Sequence, residues 1–394
     1  MPTILVVNAG SSSIKYQLID PARGERLASG LVERIGEPLG RVVHRSGGES
    51  IERETRIGDH SEGFAQLGSA FADAGQRLEQ LGIVAVGHRV VQGGSEFVRP
   101  TLIDDAVARR ILELAELAPL HNPGHHRAIL AAREVLPDVP HVAVFDTAFH
   151  QTMPESAYTY ALDRATAKRH GVRRYGFHGI SHQVVSQRAA ALLGRPVHAL
   201  KQIVLHLGNG ASACAVDGGR SIDTSMGLTP LEGLVMGTRT GDIDPGALLH
   251  LLRAGMSADE LDVLLNKRSG LLGMAGSNDM RDVRAAAESG SEDAALALQV
   301  YAHRVRHYLG AYLVELGGAD AIVFTAGVGE NNPALRAEVC AGLEWFGIEI
   351  DAARNTATGE EPRVISADGS RVAILVVPTD EETEIARQTA LLVG

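Results

Sequence analysis

The 394-residue sequence contains few cysteines, few aromatic residues and no long apolar run. Its two cysteines, Cys214 and Cys340, do not form a C-x-x-C pair, so neither a disulfide framework nor a thiolate zinc site is expected. No uninterrupted apolar stretch approaches the roughly 18 residues that a membrane-spanning helix needs. The first ten residues, MPTILVVNAG, lack the basic start of a secretory signal peptide. These absences predict a reduced, cytoplasmic protein without a membrane partner.

The charge balance and the length narrow the class of protein further. Acidic residues number 48 against 37 basic ones, a formal net charge of −11, which disfavours a general nucleic-acid-binding surface. The chain is too long for one core at roughly 100–200 residues per domain, so two domains are expected. No low-complexity linker marks the division, and we place the boundary just after Phe149.

Short apolar runs alternate with longer amphipathic segments along the chain, a pattern that predicts an α/β fold. Unusual polar residues follow six of the predicted buried strands. In open α/β sheets, ligands bind beyond the carboxyl ends of strands, where several loops converge. These positions are therefore candidate site residues: Asn8, Arg89, Asp146, Asn209, the segment Gly327–Asn331, and Glu381.

Three small-residue turns have the composition of phosphate-binding loops: Asn8–Ser13, Gly208–Gly210 and Gly327–Asn331. They offer backbone N–H groups without side-chain bulk, although none fits the Walker pattern. Asn332 and the proline after it predict a helix start beyond the third turn. If the first turn belongs to a hairpin, Lys15 lies on its second arm and can reach back toward Asn8.

Two of these turns share a pattern half a chain apart. Residues 4–12 and residues 203–212 both run from an apolar strand into a small, polar turn. The repetition is compatible with a duplicated fold that carries one glycine-rich turn in each half. Strand-to-glycine turns are common, so this repetition alone leaves duplication open.

Two arginines and several histidines are candidates for chemistry. Arg89 and Arg239 lie beside glycine-rich segments, where a guanidinium can bind a carboxylate or a phosphate with two hydrogen bonds; the alternative is an ion pair with a neighbouring acid. The cluster His121–His126 resembles a metal site but has no acid nearby. His178 follows an aromatic residue in a glycine-flanked turn, whereas His206, on an apolar strand, fits a hydrogen-bonded core histidine better than a reactive one.

The motifs taken together resemble the acetate kinase family. They run in order from Asn8 to Glu381 and cover nearly the whole chain: VNAGSSSIK from Val7, HRVV from His88, LHNP from Leu120, FDTAFH from Phe145, YGFHG from Tyr175, HLGNG from His206, GTRTGD from Gly237 and GVGEN from Gly327. The resemblance implies the duplicated ribonuclease-H-like fold of acetate and sugar kinases, Hsc70 and actin. It also implies an active site in the interlobe cleft and a homodimer.

The resemblance also implies lobes, an activity and a role for each matching residue. The N-terminal lobe would comprise residues 1–149 with the C-terminal helix, about 383–394, and the nucleotide-binding lobe residues 150–382. The activity would be reversible, Mg²⁺-dependent phosphorylation of acetate by ATP, giving acetyl phosphate and ADP, with Mn²⁺ as a substitute metal. Asp146, His178 and Arg239 would be catalytic, Arg89 would bind the acetate carboxylate, and Asn8 and Glu381 would place the metal. The methyl pocket would comprise Val91, Leu120, Phe177 and Pro230. The ATP site would comprise Lys15, His206, Leu207, Gly208, Asn209, Gly210, Asp279, Met280, Arg281, Gly327, Val328, Gly329, Glu330 and Asn331.

Three departures from the family pattern and three alternative functions stay open at this point. Where this chain has Gln92, Ile180 and Asp380, the family usually has His, Thr and Asn, respectively. The change at Asp380 adds a negative charge beside the implied metal. A propionate or other short-chain acyl kinase differs only in the volume of the methyl pocket. An actin-like or chaperone-like ATPase switch leaves Arg89 without a role. A metal hydrolase at His121–His126 is the third alternative.

Overall fold

The computed structural model describes residues 2–394 and divides them into two compact units. The first comprises the described residues up to Ala148 together with Asp380–Gly394, and the second comprises Phe149–Thr379. Each unit is built around one mixed β-sheet. The functional division into an acetate-binding and a nucleotide-binding lobe stays a prediction.

The first unit contains eight strands. They are β1 (Thr3–Ala9), β2 (Ser13–Asp20), β3 (Glu25–Glu33), β4 (Gly40–Ser46), β5 (Glu49–Thr55), β6 (Ile83–Val90), β7 (Thr101–Leu102) and β8 (His141–Phe145). Their order in the sheet is β5-β4-β3-β2-β1-β6-β8-β7. Three helices lie between these strands in the sequence: α1 (His60–Asp73), α2 (Asp105–Glu113) and α3 (Asn122–Val135).

Burial explains the strand order of this sheet. The apolar run of β1 is buried almost throughout, as expected for a strand covered on both faces. By contrast β5, at the sheet edge, is exposed at alternate positions and carries charges there, which protects the edge from pairing with another chain. β1 and β2 form the predicted hairpin, and Lys15 lies directly opposite Asn8 in its register.

The second unit contains six strands and eleven helices. Its strands are β9 (Lys201–Leu207), β10 (Ala211–Asp217), β11 (Arg220–Thr224), β12 (Ala321–Thr325), β13 (Arg363–Val364) and β14 (Ala373–Val376), in the order β11-β10-β9-β12-β14-β13. Its helices are α4 (Glu155–Tyr158), α5 (Arg164–Arg169), α6 (Gly179–Leu192), α7 (Pro245–Arg253), α8 (Ala258–Lys267), α9 (Gly270–Ala275), α10 (Met280–Glu288), α11 (Glu292–Glu315), α12 (Ala326–Asn331), α13 (Pro333–Cys340) and α14 (Ala352–Thr356).

The two sheets have the same central topology. β1 pairs antiparallel with β2 and parallel with β6, and β9 pairs antiparallel with β10 and parallel with β12. The outer neighbours correspond as well, since β3 and β8 take the places that β11 and β14 take in the second sheet. This correspondence supports the duplication that the two similar sequence segments suggested.

The last helix, α15 (Glu381–Val393), returns to the first unit and packs on β1 and β6. Glycine at position 87 of β6 permits the approach, because a Cβ atom there would lie 2.5 Å from Thr389 Oγ1. Asp380 caps the helix by accepting a hydrogen bond from the Thr383 backbone N–H at 3.2 Å. The unusual acid at 380 therefore has a structural role at a helix N-terminus, where negative charge is stabilised.

The prediction that Gly327–Asn331 forms a turn is wrong. These residues belong to α12, which starts directly after β12 because Ala326 adopts the left-handed backbone region with φ of 63°. The helix start predicted at Asn332 is confirmed, since its side chain accepts a hydrogen bond from Leu335 N at the start of α13. Cys214 and Cys340 are free and buried. No helix within residues 2–394 has both the length and the hydropathy that crossing a membrane requires.

Candidate active site

Arg89, near the end of β6, is the centre of a polar cluster in the first unit. Its Nε and Nη2 donate to the two carboxylate oxygens of Asp146 at 3.0 and 2.6 Å, and its Nη1 donates to Asn8 Oδ1 at 3.2 Å. Glu381 Oε2 lies 3.7 Å from Arg89 Nε. The predicted residues Asn8, Arg89, Asp146 and Glu381 therefore lie together at the carboxyl ends of β1, β6 and β8. These hydrogen bonds use three of the five guanidinium N–H groups, so two can still bind a ligand.

Charge in this cluster is buried and only partly compensated. Burial opposes the charge of Arg89, but Asp146 and Glu381 outweigh it and raise the pKa of the guanidinium. Burial also raises the pKa of Glu381, and the charge of Arg89 offsets that effect only in part. An additional cation near Glu381 would stabilise its ionised form.

Asn8 and Glu381 offer oxygen atoms, the ligand type that Mg²⁺ prefers. Within the described chain, no group of three or more His, Cys, Asp and Glu side chains is arranged to hold a metal ion. Two protein oxygens are nevertheless enough for Mg²⁺, which commonly binds one or two protein groups and takes its other ligands from phosphates and water. The residues present therefore fit a Mg²⁺ ion that arrives with a nucleotide.

The other predicted residues of the first unit differ in exposure. Lys15 forms an ion pair with Glu382 in the first turn of α15. Val91 is 7% exposed, whereas Leu120 is 47% exposed. Gln92 is buried and accepts a hydrogen bond from Gly94 N at 2.9 Å, so it stabilises the glycine segment after β6.

His178 in the second unit is held in an unusual backbone conformation. It is the residue before α6 and has φ of 55°, a left-handed value that is uncommon outside glycine and often found at functional sites. Its Nδ1 atom lies 2.9 Å from Ser212 Oγ, and its ring stacks on His206 with a centroid distance of 4.2 Å. His206 Nδ1 is 2.8 Å from Ser181 Oγ.

Arg239 lies next to His178. A Cβ atom on Gly210 would lie 3.4 Å from His178 Nε2 and 3.9 Å from Arg239 Nη1, so glycine leaves space between the two side chains. Arg239 Nη1 donates to the Pro230 carbonyl at 3.3 Å, and no carboxylate of residues 2–394 forms an ion pair with it. Burial lowers the pKa of this guanidinium. The alternative for both arginines was an ion pair with a neighbouring acid. Arg89 forms such a pair with Asp146, whereas Arg239 forms none within residues 2–394.

A cavity of about 880 Å³ in the second unit contains part of the predicted ATP site. Eight of the predicted residues line it: Gly208, Asn209, Asp279, Met280, Arg281, Gly327, Val328 and Asn331. Asp279 caps α10, and its hydrogen bonds from Arg281 lower the pKa of the Asp279 carboxyl to about 2. An open cavity of this size with helix starts in its wall suits a nucleotide.

Two predicted ATP residues have structural contacts instead of a place in the cavity wall. The carbonyl oxygens of Gly329 and Glu330 each accept a hydrogen bond of 2.8 Å from the buried side chain of Arg336. Glu330 Oε1 also accepts from Thr379 N at 3.1 Å. Arg336 was not predicted; the only feature that could have indicated it is its place one turn into the helix after Asn332.

The cavity wall also contains residues that the motifs did not identify. Asn278, Arg284, Glu288 and Tyr301 line it. Tyr301 is 1% exposed, and its hydroxyl has no hydrogen-bond partner in the part of the chain that the structure describes. Asn278 lies just before α10, Arg284 and Glu288 lie on α10, and Tyr301 lies on α11. The amphipathic patterns of these two helices resemble those of ordinary packing helices, so no motif singles these residues out.

The Acetokinase family model matches residues 3–387. The chain belongs to the acetokinase family. A curated acetate kinase from Clavibacter michiganensis subsp. michiganensis is 62% identical over 390 residues, which cover 99% of this chain and 98% of the relative. An acetate kinase from Streptomyces griseus subsp. griseus is 56% identical and covers 99% of this chain and 96% of its own.

Solved structures agree with the acetokinase assignment and with the duplicated α/β fold. The crystal structure of Porphyromonas gingivalis acetate kinase has a TM-score of 0.95 at 42% identity and covers 100% of both chains. The structure of a propionate kinase from Francisella tularensis subsp. tularensis has a TM-score of 0.93, also at 42% identity, and covers 99% of this chain and 100% of its own. Membership of the acetokinase family excludes the actin-like ATPase switch and the metal hydrolase as functions of this chain.

Proposed function

We propose that this chain catalyses the reversible transfer of the γ-phosphoryl group of ATP to acetate, giving acetyl phosphate and ADP. A carboxylate is already a competent nucleophile at neutral pH, so the reaction needs no strong general base. The difficulty is electrostatic, because two anions must meet and charge develops on the transferred phosphoryl group. The proposal therefore requires cationic and hydrogen-bonding groups that are not neutralised by the protein itself.

The electrostatic surroundings of Arg239 are the observation that supports this proposal. Its guanidinium is half-buried, has no carboxylate partner among the described residues, and lies beside the His178 imidazole. A partly buried cation without an ion pair is costly unless an anion binds to it. A phosphoryl group supplies that anion, and its oxygens match the planar donor geometry of arginine. In the proposal Arg239 and His178 stabilise the phosphoryl oxygens as charge develops.

Arg89 is the proposed acetate ligand. Two N–H groups remain after its hydrogen bonds to Asp146 and Asn8, enough for one carboxylate. Asp146 holds the guanidinium plane in a fixed orientation and stays close to the bound acetate. Val91, Leu120, Phe177 and Pro230 are the proposed contacts of the methyl group.

Asn8 and Glu381 are the proposed protein ligands of Mg²⁺. When bound, the ion supplies positive charge to the phosphate oxygens of ATP. Glu381 is suited to this role because the charge of its partly buried carboxylate is only partly compensated by Arg89. We further propose that the enzyme acts as a homodimer, as the resemblance implies, and that it lies in the cytoplasm, as its composition predicts. Sedimentation of the purified chain tests the dimer.

The second candidate substrate is propionate. The propionate kinase of Francisella tularensis and the acetate kinase of Porphyromonas gingivalis are both 42% identical to this chain, so overall identity does not separate the two substrates. One methylene group changes binding by only about 1–3 kcal/mol in an apolar pocket. Acetate is preferred here because the curated relatives at 50–62% identity are named acetate kinases.

Trapping of the acyl phosphate with hydroxylamine tests the proposal. The purified chain is incubated with ATP and Mg²⁺ and with acetate, propionate or butyrate in parallel. We expect most hydroxamate with acetate and a loss of product in the Arg89→Ala variant, whereas Arg164→Ala, whose side chain is 90% exposed, serves as the unaffected control. Product with propionate only would keep the mechanism and change the substrate. ATP hydrolysis without any hydroxamate would overturn the proposal.

A further inference from the structure

The buried hydroxyl of Ser212 lies between two histidines at the start of α6. Ser212 is on β10, and its Oγ atom is 2.9 Å from His178 Nδ1 and 2.8 Å from His182 Nε2. The two histidines are four residues apart, so they share one face of the helix start. Ser212 and His182 are fully buried, and neither has a role in the reaction described so far.

A serine hydroxyl has a single proton, and this limits the protonation of both rings. Within residues 2–394, Ser212 Oγ has no third hydrogen-bond partner. The hydroxyl must therefore donate to one imidazole nitrogen and accept from the other. In one arrangement, His182 Nε2–H donates to Ser212 Oγ, and the Ser212 hydroxyl donates to His178 Nδ1. In the other, His178 Nδ1–H donates to Ser212 Oγ, and the hydroxyl donates to His182 Nε2.

His182 selects between these two directions. Its Nδ1 atom is buried and has no hydrogen-bond partner among residues 2–394. Burial holds the pKa of His182 well below its ordinary value, so the ring is neutral and carries one proton. A proton on Nδ1 would leave a buried N–H group without an acceptor, an arrangement that folded proteins almost never retain. The proton therefore belongs on Nε2, where it is donated to Ser212.

We propose that His182 and Ser212 are positioning residues that hold His178 in the tautomer with its proton on Nε2. His182 Nε2–H donates to Ser212 Oγ, and the hydroxyl of Ser212 donates to His178 Nδ1. The Nε2 edge of His178 is the edge beside Gly210 and Arg239. His178 thus presents an N–H donor to a phosphoryl oxygen while its ring stays neutral. This inference rests on the proposed function, because the donor acts on the phosphoryl group of that reaction.

The tautomer can be measured without any substrate. Nitrogen NMR of the full-length protein labelled with ¹⁵N-histidine distinguishes protonated from bare ring nitrogens, and His178→Gln assigns the signals of His178. We expect a proton on Nε2 of His178 in the unaltered protein and a shift toward Nδ1 in Ser212→Ala. A proton on Nδ1 in the unaltered protein, or the same tautomer in both proteins, would overturn the inference. Neither result depends on which reaction the enzyme catalyses.

Kinetics of matched variants separate positioning from a purely structural role. Ser212→Ala is expected to lower kcat about tenfold, the rate equivalent of one hydrogen bond, with little change in KM for acetate or ATP. Ser212→Thr keeps the hydroxyl and should recover most of kcat. His182→Gln keeps a side-chain N–H donor, whereas His182→Leu does not, so Gln should retain the Nε2 tautomer of His178 and Leu should lose it.

Two kinetic results would contradict the inference. The first is an unchanged kcat in Ser212→Ala. The second is an equal loss of kcat in Ser212→Thr and Ser212→Ala while the tautomer of His178 is preserved in both variants. If Ser212→Ala does not fold, the His182→Gln and His182→Leu pair supplies the same comparison. Absence of any acyl phosphate from the unaltered enzyme would instead count against the proposed function and leave the NMR result standing.

Discussion

Arg89 binds both carboxylate oxygens of Asp146, at 3.0 and 2.6 Å, while Arg239 in the second unit has no carboxylate partner among the described residues. Asp146 is 1% exposed, so its charge depends on the guanidinium beside it. Two arginines that resemble each other in sequence context thus have opposite electrostatic surroundings. Their substitutions should have different consequences.

Replacing Arg89 by alanine should raise KM for acetate more than KM for ATP, because the lost N–H groups are the proposed carboxylate ligands. It should also destabilise the fold by about 3–5 kcal/mol, since the buried carboxylate of Asp146 would lose its ion pair with Arg89. Steady-state kinetics and urea unfolding measure the two effects. The double variant Arg89→Ala, Asp146→Asn should recover stability without recovering acetate binding. A larger change in KM for ATP than for acetate would contradict the assignment.

Replacing Arg239 by alanine should affect the chemical step instead. If it stabilises transferring phosphoryl oxygens as arginine fingers do, kcat should fall by about 10³–10⁵. Stability should change little or increase, because a partly buried cation without a carboxylate partner is removed. Rapid-quench measurement of acetyl phosphate formation gives the rate, with the exposed Arg164→Ala variant as a control. A decrease of less than tenfold would rule out this role.

The positions of several site residues follow from local sequence patterns. The alternation of side chains along a hairpin is enough to place Lys15 opposite Asn8, and the apolar runs locate the strands that end at Arg89 and Asp146. Such relationships depend on neighbours in the chain or on one sheet. They can therefore be predicted before the fold is known.

Other features depend on residues that are distant in sequence. Two such features are the absence of an ion pair at Arg239 among residues 2–394 and the contact of Ser212 with two histidines at the start of α6. Both depend on how several elements pack. The segment after β12 was expected to be a turn because glycine favours turns. Ala326 instead adopts the left-handed conformation, and the two glycines after it continue as a helix. Tertiary packing overrides the local preference there.

Replacing Gly237 should weaken nucleotide binding because of the close neighbours of this position. A Cβ atom at this position would lie 1.9 Å from Asn209 Oδ1, so Gly237→Ala must displace the Asn209 side chain from the cavity wall. We expect KM for ATP to rise about tenfold, the equivalent of roughly one lost hydrogen bond, with a smaller change for acetate. Isothermal titration with ADP measures the binding directly.

Gly310 provides a matched control for that substitution. It lies within α11, and a Cβ atom there would meet no heavy atom within 4 Å. Gly310→Ala should therefore leave ADP binding unchanged and stabilise the helix by up to about 1 kcal/mol. Equal ADP affinities for the two variants would show that the contact with Asn209 does not control the cavity.

Buried histidines should make the protein lose stability in mild acid. Burial lowers the pKa of His150 to about 4, and both ring nitrogens have partners, Nδ1 with Ser221 Oγ at 2.8 Å and Nε2 with the Phe177 carbonyl at 2.9 Å. Between the ordinary histidine pKa near 6.5 and this lowered value, the unfolded chain binds a proton that the native protein does not. As the pH is lowered through this window, the free energy of unfolding should therefore decrease by about 1.4 kcal/mol per pH unit for this one group.

The variant His150→Gln isolates this contribution from those of the other titrating groups. Gln cannot bind a proton in the window, so the unfolding free energy of the variant should change with pH less steeply than that of the unaltered protein, by the slope of one proton. Urea unfolding at pH 7, 6 and 5 gives both curves. The absolute stability of the variant does not matter, because only the difference in slope reports the titration. Parallel curves between pH 7 and 5 would mean that His150 keeps its ordinary pKa in the native protein and that its burial does not destabilise the fold in acid.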